Sequence, residues 1–407
     1  NCYNQMQSEG VVRTSASFIC GLKACGSIQA INKGKELHEE IIEKQMLQSN
    51  VSVGNALINM YIQCGFLLEA WKTFDKLPIR NRLTWITLIS GFVKYKFLDG
   101  ALNLCQYMLI EEASTEESRD TSNCFSRSEF IDSEDLVTSS MLVNVYAECG
   151  LLAEAQKVFD RVPVRDVVLW TSLMAGYVKH EWLEEALDCY EQMQMEGISP
   201  DTVTFLCSLK TCGSIGIGNK GREIHAEIIR QGISDKELII GNALIDMYAK
   251  CGFVSKAVEV FEKLQFRDVI SWTTLISGYV QTGECDKVFD AFERMRCDGV
   301  KPDLVTFASV LTACCRLNLV DNGHMYFEAM DRDFGIKPNL EHYTSVVDLL
   351  VQSGNFAQAM SFVKQMPMYP DTSLWNTMMS ACLKSGNLEL GKEVFQCAAR
   401  VPEEKLE

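Results

Sequence analysis

Along most of this chain apolar residues recur three and four positions apart, in short runs broken by glycine or by a polar turn. That spacing predicts amphipathic helices. The stretch Leu238–Asp303 shows it most clearly: LIIGNALIDMYAKCGFVSKAVEVFEKLQFRD, then VISWTTLISGYVQTGECDKVFDAFERMRCDGVKPD. Each half predicts two helices. The first (GNALIDMYAK, WTTLISGYV) ends at Gly252 or Gly283, and the second (SKAVEVFEKL, CDKVFDAFERM) runs into Phe-Arg-Asp or Gly-Val-Lys-Pro-Asp. A two-helix unit of about 35 residues cannot bury its apolar face alone, so such units must stack.

The phrase repeats. Val51–Asn81, Leu136–Asp166 and Leu238–Asp268 share a 31-residue form; Val167–Asp201 and Val269–Asp303 share a 35-residue form ending in Pro-Asp. Ser15–Asn50 and Thr202–Glu237 share a third form of 36 residues, with LKAC or LKTC early and GKELHEEII or GREIHAEII later. Leu304–Asn339, Leu340–Asp371 and a last unit from Thr372 to about Lys405 follow. A small Ala recurs at one point of the second helix (Ala70, Ala155, Ala186, Ala257, Ala359), as close packing requires, and a ring often follows four residues later (Phe74, Phe159, Tyr190, Phe261). The expected fold is all-α: a right-handed α-α superhelix, or solenoid, of helix-turn-helix repeats.

The alternation of 31-, 35- and 36-residue units resembles the pentatricopeptide-repeat family, in its plant-type subclass with long, short and standard repeats (PLS), from about Ser15 to Lys405. The run VTFASVLTACCRLNLVDNGHMYFEAM, EHYTSVVDLLVQSGNFAQAMSFVKQMP, SLWNTMMSACLKSGNLELGKEVF looks like the closing repeats of that subclass and its first C-terminal (E-type) extension motif. The resemblance implies a partial repeat over 1–14, repeats over 15–111 and 136–371, and the extension over 372–405. Between Glu112 and Glu134 the pattern fails. That polar, Ser-rich, acidic segment reads as a loop or disordered insert, or an eroded repeat, over 112–135. Editing members of the family often continue into a second extension motif and a zinc (DYW) deaminase domain, whereas this sequence stops at Glu407. It starts at Asn1 in what reads as a second helix, as a fragment or processed form would, and contains no targeting peptide.

Charge complicates an RNA partner. The formal net charge is −16, which argues against nucleic acid. Its placement matters more. Eleven first-helix windows of eleven residues hold seven cations (Lys23, Lys94, Lys179, Lys210, Lys250, Arg316, Lys384) and three anions (Glu148, Asp246, Asp348). If first helices line the binding face, as the family implies, that face is mildly positive and the back acidic. No stretch reaches the roughly 18 apolar residues of a membrane span.

The seventeen cysteines fall on repeat positions: Cys64, Cys149 and Cys251 on one, Cys25, Cys212 and Cys314 on another. With no C-x-x-C and an odd count, they read as reduced core thiols of an intracellular or organellar protein. His38-Glu39-Glu40 and His225-Ala226-Glu227 satisfy H-x-E, half of a zinc deaminase signature, but the P-C-x-x-C half is missing. Both histidines occupy one repeat position, which favours packing. Gly216-Ile-Gly218-Asn-Lys-Gly221 spells a dinucleotide fingerprint without the strand it requires, and reads as a chance match in an interhelix turn. No enzyme, metal or cofactor is expected.

Helical-repeat RNA binders read about one base per repeat. In the family the specifying positions are the fifth and last residues of a repeat, which are Asn55/Asn81, Ser140/Asp166, Thr171/Asp201, Asn242/Asp268, Thr273/Asp303, Ala308/Asn339 and Thr344/Asp371 here. An Asp carboxylate accepts the ring N–H of guanine or uracil; an Asn amide donates to adenine or cytosine. Ser or Thr at the fifth position goes with purines in the family, and Asn with pyrimidines. The array then reads, 5′ to 3′, pyrimidine, gap, G, G, unread, U, G, weak, G, with apolar Ile19, Ile86 and Leu206 reading little. Val168, Val203, Ile270 and Val305 stand where the family wedges an aliphatic side chain between bases. For any one residue, a plain helix N-terminal role is the simpler account. The implied function is site recognition in organellar C-to-U RNA editing, with single-stranded RNA as partner and a deaminase supplied in trans at Thr372–Lys405. The compartment would be mitochondrion or chloroplast, the mitochondrion slightly ahead. The alternative is a protein-interaction scaffold, or decayed paralogue, without RNA binding.

Overall fold

The computed structural model describes residues 14–116, 136–233, 237–386 and 388–398. They form an all-α solenoid of repeated helix-turn-helix units, with no strand among the described residues. The chain falls into two compact units, residues 1–204 and 205–407. In the first, Ser15–Ser27 pairs with Ile31–Glu43, Val51–Gln63 with Leu67–Asp75, Arg82–Lys94 with Leu98–Glu116, Leu136–Glu148 with Leu152–Arg161, and Val167–Lys179 with Leu183–Met195. In the second, Leu238–Lys250 pairs with Val254–Lys263, Val269–Thr282 with Cys285–Cys297, Leu304–Arg316 with Val320–Arg332, Leu340–Gln352 with Phe356–Lys364, and Thr372–Ser385 with Leu388–Ala398.

The helices form because their apolar residues share a face and their ends are specified. In Val167–Lys179 the buried set is Leu169, Trp170, Leu173, Met174, Tyr177 and Val178, packed on Ala186, Tyr190 and Met193 of the next helix. All five recurrent alanines of the second helices are at most 1% exposed, so none could be larger without pushing a helix away. First helices also stack on one another. A Cβ on Gly176 would lie 2.3 Å from Ala147 Cβ, and one on Gly278 would lie 2.7 Å from Ala249 Cβ, so glycine sets the stacking distance there. Gly252 and Gly283, at φ 80° and 83°, turn the chain from first helix to second, in a region other residues rarely adopt.

One recurrent device fixes the turn that precedes a repeat's last residue. Arg80, Arg165 and Arg267 stack on Phe74, Phe159 and Phe261 at 4.7, 4.5 and 4.9 Å. Each also donates from Nε to the carbonyl of that same Phe, at 3.2–3.4 Å. The rings in turn meet Trp85, Trp170 and Trp272 edge-on at 4.6, 4.5 and 4.7 Å. Such cation–π contacts are worth about 0.5–2 kcal/mol each. They hold Asn81, Asp166 and Asp268, the residues directly after each Arg.

The helix Leu98–Glu116 runs five residues into the expected insert, so residues 112–116 are helical. The rest of the insert (117–135), the partial repeat before residue 14, and the extension beyond residue 398 lie outside the described residues.

Candidate nucleic-acid interface

Every last-position residue singled out in the sequence is a helix N-cap. Asn81, Asp166, Asp268, Asp303, Asn339 and Asp371 each accept, through the side-chain oxygen, the N–H three residues on. Asp201 accepts Thr204 N at 2.8 Å in the same way. A carboxylate here also faces the positive end of the helix dipole. The backbone bond always goes to Oδ1. Oδ2 of Asp166, Asp201, Asp268, Asp303 and Asp371 has no hydrogen-bond partner among the described residues.

The fifth-position side chains sit beside these caps but are mostly buried. Asn55, Ser140, Thr171 and Thr273 are each 8% exposed, and Ala308 is 7% exposed. How they reach the last residue differs. Asn55 Nδ2 donates to Asn81 Oδ1 at 3.3 Å and Asn242 Nδ2 donates to Asp268 Oδ1 at 3.5 Å, direct contacts between the two predicted positions. In both asparagines Oδ1 is buried and has no hydrogen-bond partner among the described residues. That is an acceptor awaiting a donor.

Thr273 reaches Asp303 only through a third residue. Its hydroxyl lies 2.9 Å from that of Thr306, which donates to Asp303 Oδ1 at 2.8 Å. Thr171 lies 3.2 Å from the hydroxyl of Thr204, but Thr171 donates to the Val167 carbonyl at 2.5 Å and Thr204 to Asp201 Oδ1 at 2.7 Å, so no proton is left to join the two hydroxyls. The remaining pairs are not joined either. Ser140 and Thr344 donate instead to the carbonyls of Leu136 and Leu340, at 2.7 and 2.9 Å.

The relay residues were missed in the sequence, although their signal is there: Asn81-x-x-Thr84, Asp201-x-x-Thr204, Asp268-x-x-Ser271 and Asp303-x-x-Thr306. Each is a capping box with a hydroxyl in place of the usual Glu or Gln. The hydroxyl donates to the cap oxygen at 2.7–2.9 Å and accepts the cap's own N–H at 3.2–3.4 Å. Burial pushes the Asp268 carboxyl up, but the Ser271 amide and hydroxyl and the Asn242 amide outweigh it and leave the acid below its ordinary value.

Beside five of these caps, Asn81, Asp166, Asp201, Asp268 and Asp303, stands an exposed aliphatic, whereas Glu341 and Ser373 take that place after Asn339 and Asp371. Val168, Val203, Ile270 and Val305 are 49–58% exposed, and Leu83, Val137 and Ile239, unremarked in the sequence, hold the same position at 58–65%. The first-helix cations are largely engaged. Lys179 Nζ bonds the Glu148 carboxylate and main-chain carbonyl at 2.8 Å, Lys250 pairs with Asp246 at 2.7 Å, and Arg316 donates to the Val280 carbonyl. Lys94 donates to Gln63 Oε1 at 3.1 Å. Lys23 and Lys210 are exposed.

The catalytic-looking matches resolve into packing. His38 Nδ1 lies 2.7 Å from Tyr61 Oη and His225 Nδ1 lies 2.9 Å from Tyr248 Oη, ring edge to ring face. A Cβ at Gly218 would lie 2.1 Å from the Phe253 ring, and one at Gly221 would lie 2.3 Å from Met247 Sδ. Those glycines allow helix contact. Among the described residues no group of three or more His, Cys, Asp or Glu could hold a metal, and no helix is long and apolar enough to cross a membrane.

The chain matches the PPR repeat family over residues 165–214 and 267–316, and the PPR repeat over 55–81, 83–111, 137–167, 242–269, 305–333, 341–369 and 373–398. It is similar to a mitochondrial pentatricopeptide repeat-containing protein of Arabidopsis thaliana, 32% identical over 99% of this chain and 75% of the relative. A second Arabidopsis pentatricopeptide repeat-containing protein is 34% identical over 97% of this chain and 73% of its own length. Among solved structures it resembles the maize pentatricopeptide repeat protein PPR10 in complex with an 18-nt psaJ RNA element. That match has a TM-score of 0.73 at 15% identity, over the whole of this chain and 58% of the other.

Proposed function

Since the chain belongs to the plant-type pentatricopeptide-repeat family, we propose that it binds single-stranded RNA and reads about one base per repeat. One observation carries the reading: the caps Asp166, Asp201, Asp268 and Asp303 keep one oxygen for the helix and leave the second without a partner among the described residues, beside an exposed aliphatic. A free carboxylate oxygen suits the ring N–H of guanine or uracil, and an aliphatic side chain can lie against a base face. Asn55/Asn81 takes a pyrimidine, Asn242/Asp268 uracil, and Ser140/Asp166, Thr171/Asp201, Thr273/Asp303 and Thr344/Asp371 guanine.

Within the family, the alternating repeat lengths and the unit Thr372–Lys405 support a PLS-type member that marks a C-to-U editing site for a deaminase acting in trans. The mitochondrial relative supports an organelle and leans towards the mitochondrion. The competing reading is a protein scaffold, favoured by the net charge of −16 and by the ion pairs that engage Lys179 and Lys250. Binding to an RNA carrying U-G-N-G, against the same strand with U and G exchanged for C and A, decides between them at about 100 mM salt. A clear preference for the first, lost in Thr273→Asn, supports base reading. Equal weak binding, or none, leaves the scaffold.

A further inference from the structure

We propose that His342 reverses the hydrogen-bonding polarity of Asn339, so that the repeat Leu304–Asn339 offers its base an acceptor and selects U or G. The inference rests on the RNA reading above. By residue type alone, an Asn in this position offers a donor.

The geometry of the two cap asparagines differs. At Asn81, Oδ1 receives the Thr84 amide at 2.9 Å, the Thr84 hydroxyl at 2.7 Å and Asn55 Nδ2 at 3.3 Å. Three donors hold Oδ1 inward and turn the amide NH2 outward, where it donates. At Asn339 the fifth residue is Ala308, which has nothing to donate, and the third residue of the next helix is His342 instead of Thr.

His342 is fully buried. Its Nε2 lies 2.9 Å from the Leu304 carbonyl, which can only accept, so Nε2 carries the proton. In the neutral ring Nδ1 is then a bare lone pair, and the atom it lies against, Asn339 Oδ1, is a second acceptor. A lone pair there requires a donor, so the amide NH2 turns inward and Oδ1 faces out. The exchange gives up the cap bond from the His342 backbone N–H to the amide oxygen, at 3.4 Å the longest of these caps, and that N–H keeps the Asn339 main-chain carbonyl at 3.1 Å.

Burial holds His342 below the ordinary histidine value, against opposing contributions from the Leu304 carbonyl and Glu341 on its own helix. No charged side chain of the packed helices Leu304–Arg316, Val320–Arg332, Phe356–Lys364 or Thr372–Ser385 is among the groups acting on it. The ring is therefore neutral at pH 7.5. Acid reverses the arrangement. The imidazolium donates from both nitrogens, draws Oδ1 inward and returns the NH2 to the base.

The test uses the whole chain and four RNAs, U-G-x-G, that differ only at x. At pH 7.5 the wild type prefers U or G at x over C or A by about tenfold, one good hydrogen bond. His342→Thr, which restores the hydroxyl found at Thr84, reverses the preference. At the pH where NMR shows the ring protonated, the wild-type preference shrinks while that of His342→Thr stays. A wild type that prefers C or A, or one that shares its preference with His342→Thr, overturns the inference alone, provided G is still selected by Thr273/Asp303. If that neighbouring selection is absent, the RNA reading falls and takes this inference with it. Should His342→Thr not fold, nitrogen-15 NMR of the wild type decides. An Nε2–H tautomer upholds the mechanism and an Nδ1–H tautomer overturns it.

Discussion

Replacing Thr306 by Val tests whether one hydroxyl serves both the fold and the proposed reading. Thr306 is fully buried, and its hydroxyl makes three contacts: it donates to Asp303 Oδ1 at 2.8 Å, accepts Asp303 N–H at 3.3 Å, and meets Thr273 at 2.9 Å. Valine keeps the volume and the backbone cap, since Thr306 N still donates to Asp303 Oδ1 at 2.8 Å. What is lost is one hydrogen bond to a charged group, worth about 1.5–3 kcal/mol, and a partner for the buried Thr273 hydroxyl. Part returns when Thr273 turns to the carbonyl four residues back, as Thr171 does with Val167 O at 2.5 Å. The expected net loss is about 1–2 kcal/mol. It reads as a lower urea midpoint, with the transition followed locally because repeat arrays unfold unit by unit. Thr306→Ser keeps the hydroxyl and should lose less than about 0.5 kcal/mol. In RNA binding, Thr306→Val should weaken the preference for G at this repeat and leave selection by Asn242/Asp268 intact. Wild-type stability together with wild-type base preference would refute the relay.

Three further outcomes follow from the packing and the caps. Gly176→Val should cost about 2–3 kcal/mol in urea unfolding, because its Cβ would sit 2.3 Å from Ala147 Cβ on the neighbouring first helix. The Asp268 acid is lower in the folded chain than in the unfolded one. Its contribution is therefore complete above the unfolded value of about 3.9 and is lost as pH falls through the folded one, and Asp268→Asn should flatten that acid limb of the stability profile. In thiol labelling Cys20 and Cys297, both exposed, should react first among the described cysteines. Cys105, Cys189, Cys212, Cys314 and Cys315, which burial pushes up to about 12, should react only on unfolding.

Repeat boundaries, helix pairing and the recurrent alanines were legible because a solenoid writes the same local solution many times, and a period survives drift at single positions. The candidate interface was legible to the level of position and no further. Fifth and last residues do meet at Asn55/Asn81 and Asn242/Asp268, but at Thr273/Asp303 the connection runs through Thr306, which belongs to the next unit. Reading each repeat as self-contained hides such a residue. His342 was hidden for the same reason, and because a histidine in a cap has two tautomers that residue type does not distinguish. The cations were counted correctly, yet charge totals carry no information about partners. Lys179 spends itself on Glu148, and that contact depends on where the preceding helix ends.

On the proposed reading the last residue both caps a helix and meets a base, and that double duty limits how such an array can change. Any substitution there must still close the start of the next helix, and only a short side chain bearing an oxygen does that well. Glu237, too long to cap and making no cap bond, ends a repeat whose fifth residue is the apolar Leu206. The readable repeats end in Asp or Asn alone. Each thus stores little more than one binary choice, acceptor or donor, and the remaining discrimination must come from its neighbours. A long recognition sequence then requires many units, so length, more than chemical variety, is how this kind of molecule gains specificity.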